Sequence, residues 1–200
     1  MDSEEKSHEL KESESDLVKA FQEGSRPAFD KLVIKYKDRV FSLCYSFLKD
    51  YEESNDCTQE IFIKVYRSLK GFKFKSSFST WLYRVTVNTC KNRLRSKEFK
   101  QVKMTVRTDN PGSSENGYAI EPRGENQSPE LALEKKERLF QIREAIESLP
   151  WRFRTIIILR DIQGLSYDEI AKITKTTHGT VKSRISRARS GLREKLKGVI

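Results

Sequence analysis

The residues best suited to chemistry in this chain are cations and rings, gathered in two places. The stretch TTHGTVKSRISRAR, residues 176–189, holds Lys182, Arg184, Arg187 and Arg189 and no acidic residue. Val181, Ile185, Ala188 and Leu192 recur along it at the spacing of a helix stripe. The pattern predicts a helix anchored by one narrow face and basic on the rest. Arg and Lys side chains meet phosphates or the O6/N7 edge of guanine, and Ser and Thr serve either role. Thr177 or His178 adds groups near the helix start, where base contacts usually begin. The second place is GFKFKSSFSTWLYRVTVNTCKNRLR, residues 71–95. There Phe72, Phe74, Phe78, Trp81 and Tyr83 are interleaved with Lys73, Lys75, Arg84 and Lys91. Rings stack on unpaired bases while cations track the phosphates. Phe78 and Trp81 suit a protein core equally well. Phe72 and Phe74, in a loop with lysines between them, do not.

The acidic and metal-ligating residues are sparser. Glu52, Asp56 and Glu60 stand four residues apart, so they share a helix face, with Gln59 beside them. Such a face is a metal site for phosphodiester chemistry, a solvated surface, or a docking surface for a basic protein. One helix face spreads its carboxylates about 6 Å apart, and no second cluster converges on them, which counts against the metal. Cys44, Cys57 and Cys90 are odd in number and form no CxxC pair, and His8 and His178 are the only histidines. Buried, reduced thiols are expected, with too few ligands for zinc. No catalytic residue, metal site or cofactor is expected.

The elements that must position these groups read as helices throughout. At 200 residues, 36% hydrophobic and 34% charged, the chain suits one large domain or two small ones. Residues 1–15 form an acidic tail expected to be disordered. Helical spacing begins at Asp16 and resumes after Gly24 with Pro27 in a first turn. Further helices are expected over about 52–69, ending before Gly71, and over about 79–95, with Leu82 and Val85 inward. Residues 101–132 are rich in Pro, Gly, Ser and Asn and read as a flexible linker. Helicity returns at 133–149, and Pro150 opens another helix. The fold class is all-α: two small helical domains, residues 16–100 and 133–200, joined by a flexible linker.

Ser166-Tyr-Asp-Glu169 is a capping box. It opens a short helix, followed by the turn KTT and then the basic helix. Helix, short turn and basic helix make a helix-turn-helix, whose second helix enters the major groove. A solvated basic surface helix is the bland alternative, but such a helix would mix in acids as ion-pair partners. The chain carries a net charge of +10, and its Lys and Arg gather in two tracts. There are eleven against the single acid Glu98 in residues 70–107 and seven against the single acid Glu194 in residues 178–197, which points to two contacts along one long anion. The N-terminus is acidic and no apolar run reaches membrane length, so a cytoplasmic location without membrane insertion is expected.

Residues 50–95, DYEESNDCTQEIFIKVYRSLKGFKFKSSFSTWLYRVTVNTCKNRLR, resemble region 2 of the extracytoplasmic-function (ECF) sigma factors of the sigma-70 family. Residues 149–196 resemble region 4 of the same group. The resemblance implies that residues 16–100 are a region 2 helical bundle for core binding, −10 recognition and melting. It makes 133–200 the region 4 helix-turn-helix for −35 recognition. It also implies an RNA polymerase sigma factor with no enzymatic activity of its own. Asp56, Gln59, Glu60 and Phe62 fall on the segment that docks on the clamp helices of the polymerase largest subunit. The loop of residues 71–77, with Phe72, Phe74, Lys75, Ser76 and Ser77, matches the element that holds a flipped −10 base. Trp81, Arg84, Asn88, Lys91, Asn92 and Arg95 fall on the helix that reads the −10 element. Thr177, His178, Thr180, Lys182, Ser183, Arg184 and Arg187 fall on the −35 reader. Implied partners are core RNA polymerase, through its clamp helices and flap, promoter DNA and an anti-sigma factor. The implied location is cytoplasmic, with the nucleoid when polymerase-bound. Three departures bear on promoter choice: Asn92 where the family often has Asp, no glycine before the serines of the loop, and His178 at a usually small or aliphatic position. Two rival readings remain: an autonomous helix-turn-helix repressor or activator, and a metal-dependent nuclease using Glu52, Asp56 and Glu60.

Overall fold

Short polar side chains decide where most of the helices begin. The computed structural model describes residues 12–105 and 129–197, with side chains described outside 97–105 and 129–135. Ser13 caps α1 (Glu14–Gln22), and Pro27 occupies the first turn of α2 (Arg26–Leu48). Asp50 accepts from the Glu53 amide at 2.8 Å to open α3 (Tyr51–Leu69). Ser77 does the same for the Thr80 amide at 3.2 Å at the head of α4 (Phe78–Thr105). After α5 (Pro129–Glu147) and α6 (Trp151–Ile157), a π-helical turn spans Ile158–Ile162. Ser166 and Glu169 form the complete capping box at the head of α7 (Tyr167–Thr174), and Thr177 caps α8 (His178–Lys195). Each such cap is worth about 1 kcal/mol.

Three boundaries differ from expectation. Ser13, Glu14 and Ser15 belong to the start of α1 rather than to an acidic tail, because Ser13 caps the helix and Glu14 has partners on α2. Residues 1–11 lie outside the described residues. The helix expected to end near Arg95 continues to Thr105, and α5 begins at Pro129. The ends of the expected linker are therefore helical, and residues 106–128 lie outside the described residues. The SKEFKQVK run has good helix formers and no Gly or Pro.

The first four helices surround one apolar core. Val18 of α1, Leu32, Tyr36, Val40 and Leu43 of α2, Ile61, Val65 and Leu69 of α3, and Leu82 of α4 are fully or almost fully buried. The later helices bury Ile156, Ile157, Ile158 and Leu159 in succession. An exposed helix does not bury four residues running, but α6 and the π turn pack on α7 and α8 and also reach α2.

This second contact changes the picture of two tethered modules. The Trp151 ring packs on Phe47 of α2 with centroids 4.8 Å apart. Gln163 donates to Ser42 Oγ at 3.3 Å, and Arg84 of α4 donates to the Lys172 carbonyl at 2.7 Å. Buried residues of both modules form one continuous cluster. Trp151 reads in the sequence as the start of a local helix, yet part of its ring closes the join.

Candidate functional site

The aromatic loop between α3 and α4 is held from below by Gln22 of α1. Its Nε2 donates to the Leu69 carbonyl at 3.0 Å and the Phe72 carbonyl at 2.9 Å. Phe72 turns inward, with its ring 5.2 Å from Trp81 and 5.0 Å from Phe74. Phe74 remains exposed, and its backbone is left-handed at φ 53°, a conformation that costs a bulky residue about 1–3 kcal/mol. Phe78 is core, 4% exposed, whereas Trp81 is only half-buried. That separates two rings that the sequence leaves equivalent.

The loop closes one wall of a cavity of about 450 Å³, lined by Phe72, Phe74, Ser76, Ser77 and Phe78 and, from the other side, by Glu14 and Lys35. This is the size of a small-ligand pocket. Burial alone would raise the Glu14 carboxyl, but hydrogen bonds from Tyr36 and Lys35 outweigh it and hold the group below its ordinary range. Lys35 Nζ stands 2.9 Å from it. Tyr36 is pushed up by burial and by its bond to Glu14. Lys75 is exposed beside the cavity, Ser76 is half-buried, and the Ser77 hydroxyl is occupied by its cap.

Beyond the loop, α4 presents a continuous stripe. Asn88, Lys91, Asn92 and Arg95 are exposed at successive three- and four-residue steps, and half-buried Arg84 extends the stripe towards Trp81. The sequence-predicted residues of this helix are thus brought to one side. Arg84 is engaged by the C-terminal module, donating to the Lys172 carbonyl.

On α8, Val181, Ile185 and Ala188 are buried as the stripe requires, and Lys182, Ser183 and Arg187 are exposed. Arg184 and Thr180 are half-buried. Thr177 is exposed but its hydroxyl is used as the cap, 2.9 Å from the Thr180 hydroxyl. His178 is exposed at the first turn, with its ring 5.4 Å from Tyr167 of α7. Arg189 is paired with Asp161 through Nη2 at 2.5 Å and Nε at 3.3 Å, so it locks α8 to the π turn.

The acidic face of α3 has a mixed character. Glu52, Asp56 and Gln59 are exposed, but Glu60 pairs with Lys64 at 2.6 Å and with Arg93 of α4 at 3.3 Å. Arg93 also donates to the Glu53 carbonyl at 3.0 Å. Phe62 is half-buried, and next to it lies an apolar patch of Ile63 and Tyr66 beside Phe29 and Arg67. Ile63 is 52% exposed and Tyr66 42%. Reading the acids by spacing passes over this patch, although the IFIKVY run carries more apolar residues than one buried stripe needs.

Among the described residues, the groups of three or more His, Cys, Asp or Glu close enough to share an ion reduce to Cys44, Cys57 and Cys90. The carboxylates of α3 are not such a group. The thiols are free and buried, as expected, but residues far apart in the sequence meet in space.

Comparison with known proteins agrees across the chain. Residues 32–99 match the family model for sigma-70 region 2, and residues 139–192 match the model for sigma-70 region 4. The RNA polymerase sigma-H factor of Pseudomonas aeruginosa is 36% identical over 189 residues, which cover 94% of this chain and 96% of that protein. The ECF RNA polymerase sigma-E factor of Escherichia coli is 38% identical over 184 residues, covering 92% of this chain and 94% of the relative. Among solved structures, the sigma factor RpoE in complex with the anti-sigma factor NepR from Bartonella quintana aligns with a TM-score of 0.60 at 25% identity. That match covers 84% of this chain and 96% of the other. CnrH in complex with the cytosolic domain of CnrY aligns with a TM-score of 0.64 at 20% identity over 91% and 96% of the two chains, a likeness of fold.

Proposed function

The chain belongs to the sigma-70 family as an RNA polymerase sigma factor of the extracytoplasmic-function group, and from that premise we propose which surface performs each part of its work. A sigma factor is not an enzyme. It directs core polymerase to −10 and −35 promoter elements and promotes opening of the duplex.

In this proposal residues 16–100 bind core polymerase and the −10 element, and residues 133–200 bind the −35 element. The α3 face of Asp56, Gln59, Glu60 and Phe62 docks on the basic clamp helices. Ile63 and Tyr66 supply apolar area beside the charges, which steer the encounter more than they hold it. The cavity behind Phe74 takes an unpaired base of the non-template strand. Arg84, Asn88, Lys91, Asn92 and Arg95 follow that strand along α4. Unstacking costs a few kcal/mol per base, and stacking on an aromatic ring returns about 1–3 kcal/mol. The α8 face of Lys182, Ser183, Arg184 and Arg187 reads the −35 duplex, with His178 at its entry. Region 4 also meets the polymerase flap. Binding of both modules to one large enzyme raises the effective concentration of each at its DNA element.

The observation that supports this division best is the placement of the cavity and the stripe on one element. Ser77 and Phe78 line the cavity and open α4, and the exposed stripe runs down the same helix. A captured base and its neighbours would therefore be held in register by a single rigid body.

The contacts of Trp151 with Phe47 and of Arg84 with Lys172 hold the helix-turn-helix against α2 and α4. This is the form of the free chain, and core polymerase separates the modules. An anti-sigma factor is the expected regulator, and the cytoplasm the expected location. Among the described residues no helix is long and apolar enough to cross a membrane.

Reconstitution tests the reading. The full chain with core polymerase should start transcription downstream of paired −10 and −35 elements, and neither component alone should. Equally tight, sequence-specific duplex binding by the chain without core would favour the autonomous regulator and overturn the proposal.

A further inference from the structure

The chain's only three cysteines come from three helices and meet at one point. Cys90 Sγ on α4 lies 3.8 Å from Cys44 Sγ on α2 and 4.0 Å from Cys57 Sγ on α3. All three sulfurs lie within 4.8 Å of one another, and none of the residues is exposed. None of the surfaces assigned above uses them.

The size of this triangle is informative. Metal–sulfur bonds of about 2.3 Å in a planar three-coordinate site put the sulfurs about 4.0 Å apart. Two edges, 3.8 and 4.0 Å, lie close to that figure, and the third, within 4.8 Å, would have to close towards it. A pyramidal site, the geometry of As(III), draws all three sulfurs closer still. A tetrahedral site needs a fourth ligand, and the cluster contains no further His, Asp, Glu or Cys among the described residues. The neighbouring Thr58 hydroxyl already donates to the Ser54 carbonyl at 2.7 Å.

The surroundings also favour a thiolate. Hydrogen bonds from Cys44 and Cys90 push the Cys57 thiol down, and Arg93 and Lys64 add positive potential. The bond to Cys57 pushes Cys44 up, and both neighbours push Cys90 up. The positive potential of Arg93 and Lys64 at Cys57 would steady a thiolate formed there on binding. A thiolate is the form that binds metal, and soft ligands select soft ions.

We propose that Cys44, Cys57 and Cys90 form a buried three-sulfur site for a thiophilic ion, with the coordination chemistry shared by Cu(I) and As(III). Neither reaction changes an oxidation state. Cu⁺ displaces three thiol protons and leaves a trithiolate complex of charge −2, offset in part by Arg93 and Lys64. As(OH)₃ and three thiols give a neutral As(SR)₃ and three waters, so no net charge is buried. Either ion would cross-link α2, α3 and α4 directly beneath the face that carries Asp56 and Glu60.

The test uses the full chain, reduced and without oxygen, in two arms. Cu(I) is titrated against a coloured Cu(I) chelator, and arsenite is titrated with counting of free thiols. The expected result in at least one arm is saturation at one ion per chain, with three thiols lost and a raised melting temperature. The arm that saturates identifies the ion. Cys57→Ser should lower affinity by more than the roughly 10–100-fold that loss of an outer-shell partner costs, with an unchanged far-ultraviolet circular dichroism spectrum. If the serine variant does not fold, the wild-type stoichiometry decides. Less than one equivalent bound in both arms, or fewer than three thiols lost per ion, overturns the site and leaves three packed core thiols. The polymerase assignments do not depend on that outcome.

Discussion

Replacing Gln22 by leucine is the sharpest perturbation of the aromatic loop that leaves every proposed DNA-contacting residue in place. Leucine keeps much of the side-chain bulk and removes both donors. The Leu69 and Phe72 carbonyls, bonded at 3.0 and 2.9 Å in partly buried positions, then lose their partner. A net loss of about 1 kcal/mol per hydrogen bond gives about 2 kcal/mol, all of it acting on the loop. Each 1.4 kcal/mol is a factor of ten, so the formed loop loses up to about 30-fold in population against open alternatives. Packing of Phe72 on Trp81 resists part of that. Holoenzyme affinity for a single-stranded −10 oligonucleotide, read by fluorescence anisotropy, should therefore fall, by several-fold and by at most about 30-fold. Affinity for a duplex carrying only the −35 element should not change. Oligonucleotide binding within about twofold of wild type, accompanied by the expected loss of stability, would refute the argument that Gln22 preorganises the loop.

Glu60→Lys puts a cation where Lys64 and Arg93 now converge, and should weaken core binding by at least about tenfold with the helical spectrum intact. Gel filtration with core enzyme checks this, and wild-type affinity would remove Glu60 from the interface. Arg184→Ala should cost about 1–3 kcal/mol on promoters that depend on its base contact and less on others. An equal loss on every −35 sequence in a binding assay would make Arg184 a phosphate contact. Trp151→Ala removes the ring that packs on Phe47 at 4.8 Å. Loss of a core tryptophan side chain costs about 3–5 kcal/mol and this half-buried one less, so the free chain should open. Small-angle scattering should show a larger radius of gyration; an unchanged radius would mean that Arg84 and Gln163 suffice to hold the join.

What could be read from the sequence was what is settled within a few residues. The Ser166 and Glu169 cap involves partners three apart, and it forms as expected. The buried stripe of Val181, Ile185 and Ala188 is likewise a property of one helix. Gln22 was illegible because its partners lie 47 and 50 residues away. The cysteines show the boundary most clearly. Each sits at an inward position of its own helix, but their meeting depends on the relative rotation of three helices. Phe78 and Trp81 divided between core and surface for a similar reason, since the direction in which α4 leaves the loop depends on packing and not on local pattern. The end of α4 was misplaced because a polar run without apolar spacing gives no periodic signal, even when its residues favour helix.

The places where the two middle helices stop set a limit on promoter geometry. Between Thr105 and Pro129 lie roughly two dozen peptide units, which span at most about 80 Å. Successive base pairs of duplex DNA advance about 3.4 Å, so that span equals about two helical turns and a few base pairs more. The covalent chain is therefore a ruler as well as a tether. Each residue deleted from 106–128 lowers that ceiling on the distance between Thr105 and Pro129 by about 3.3–3.6 Å, close to the advance of one base pair. Insertions relax it without altering either reading surface.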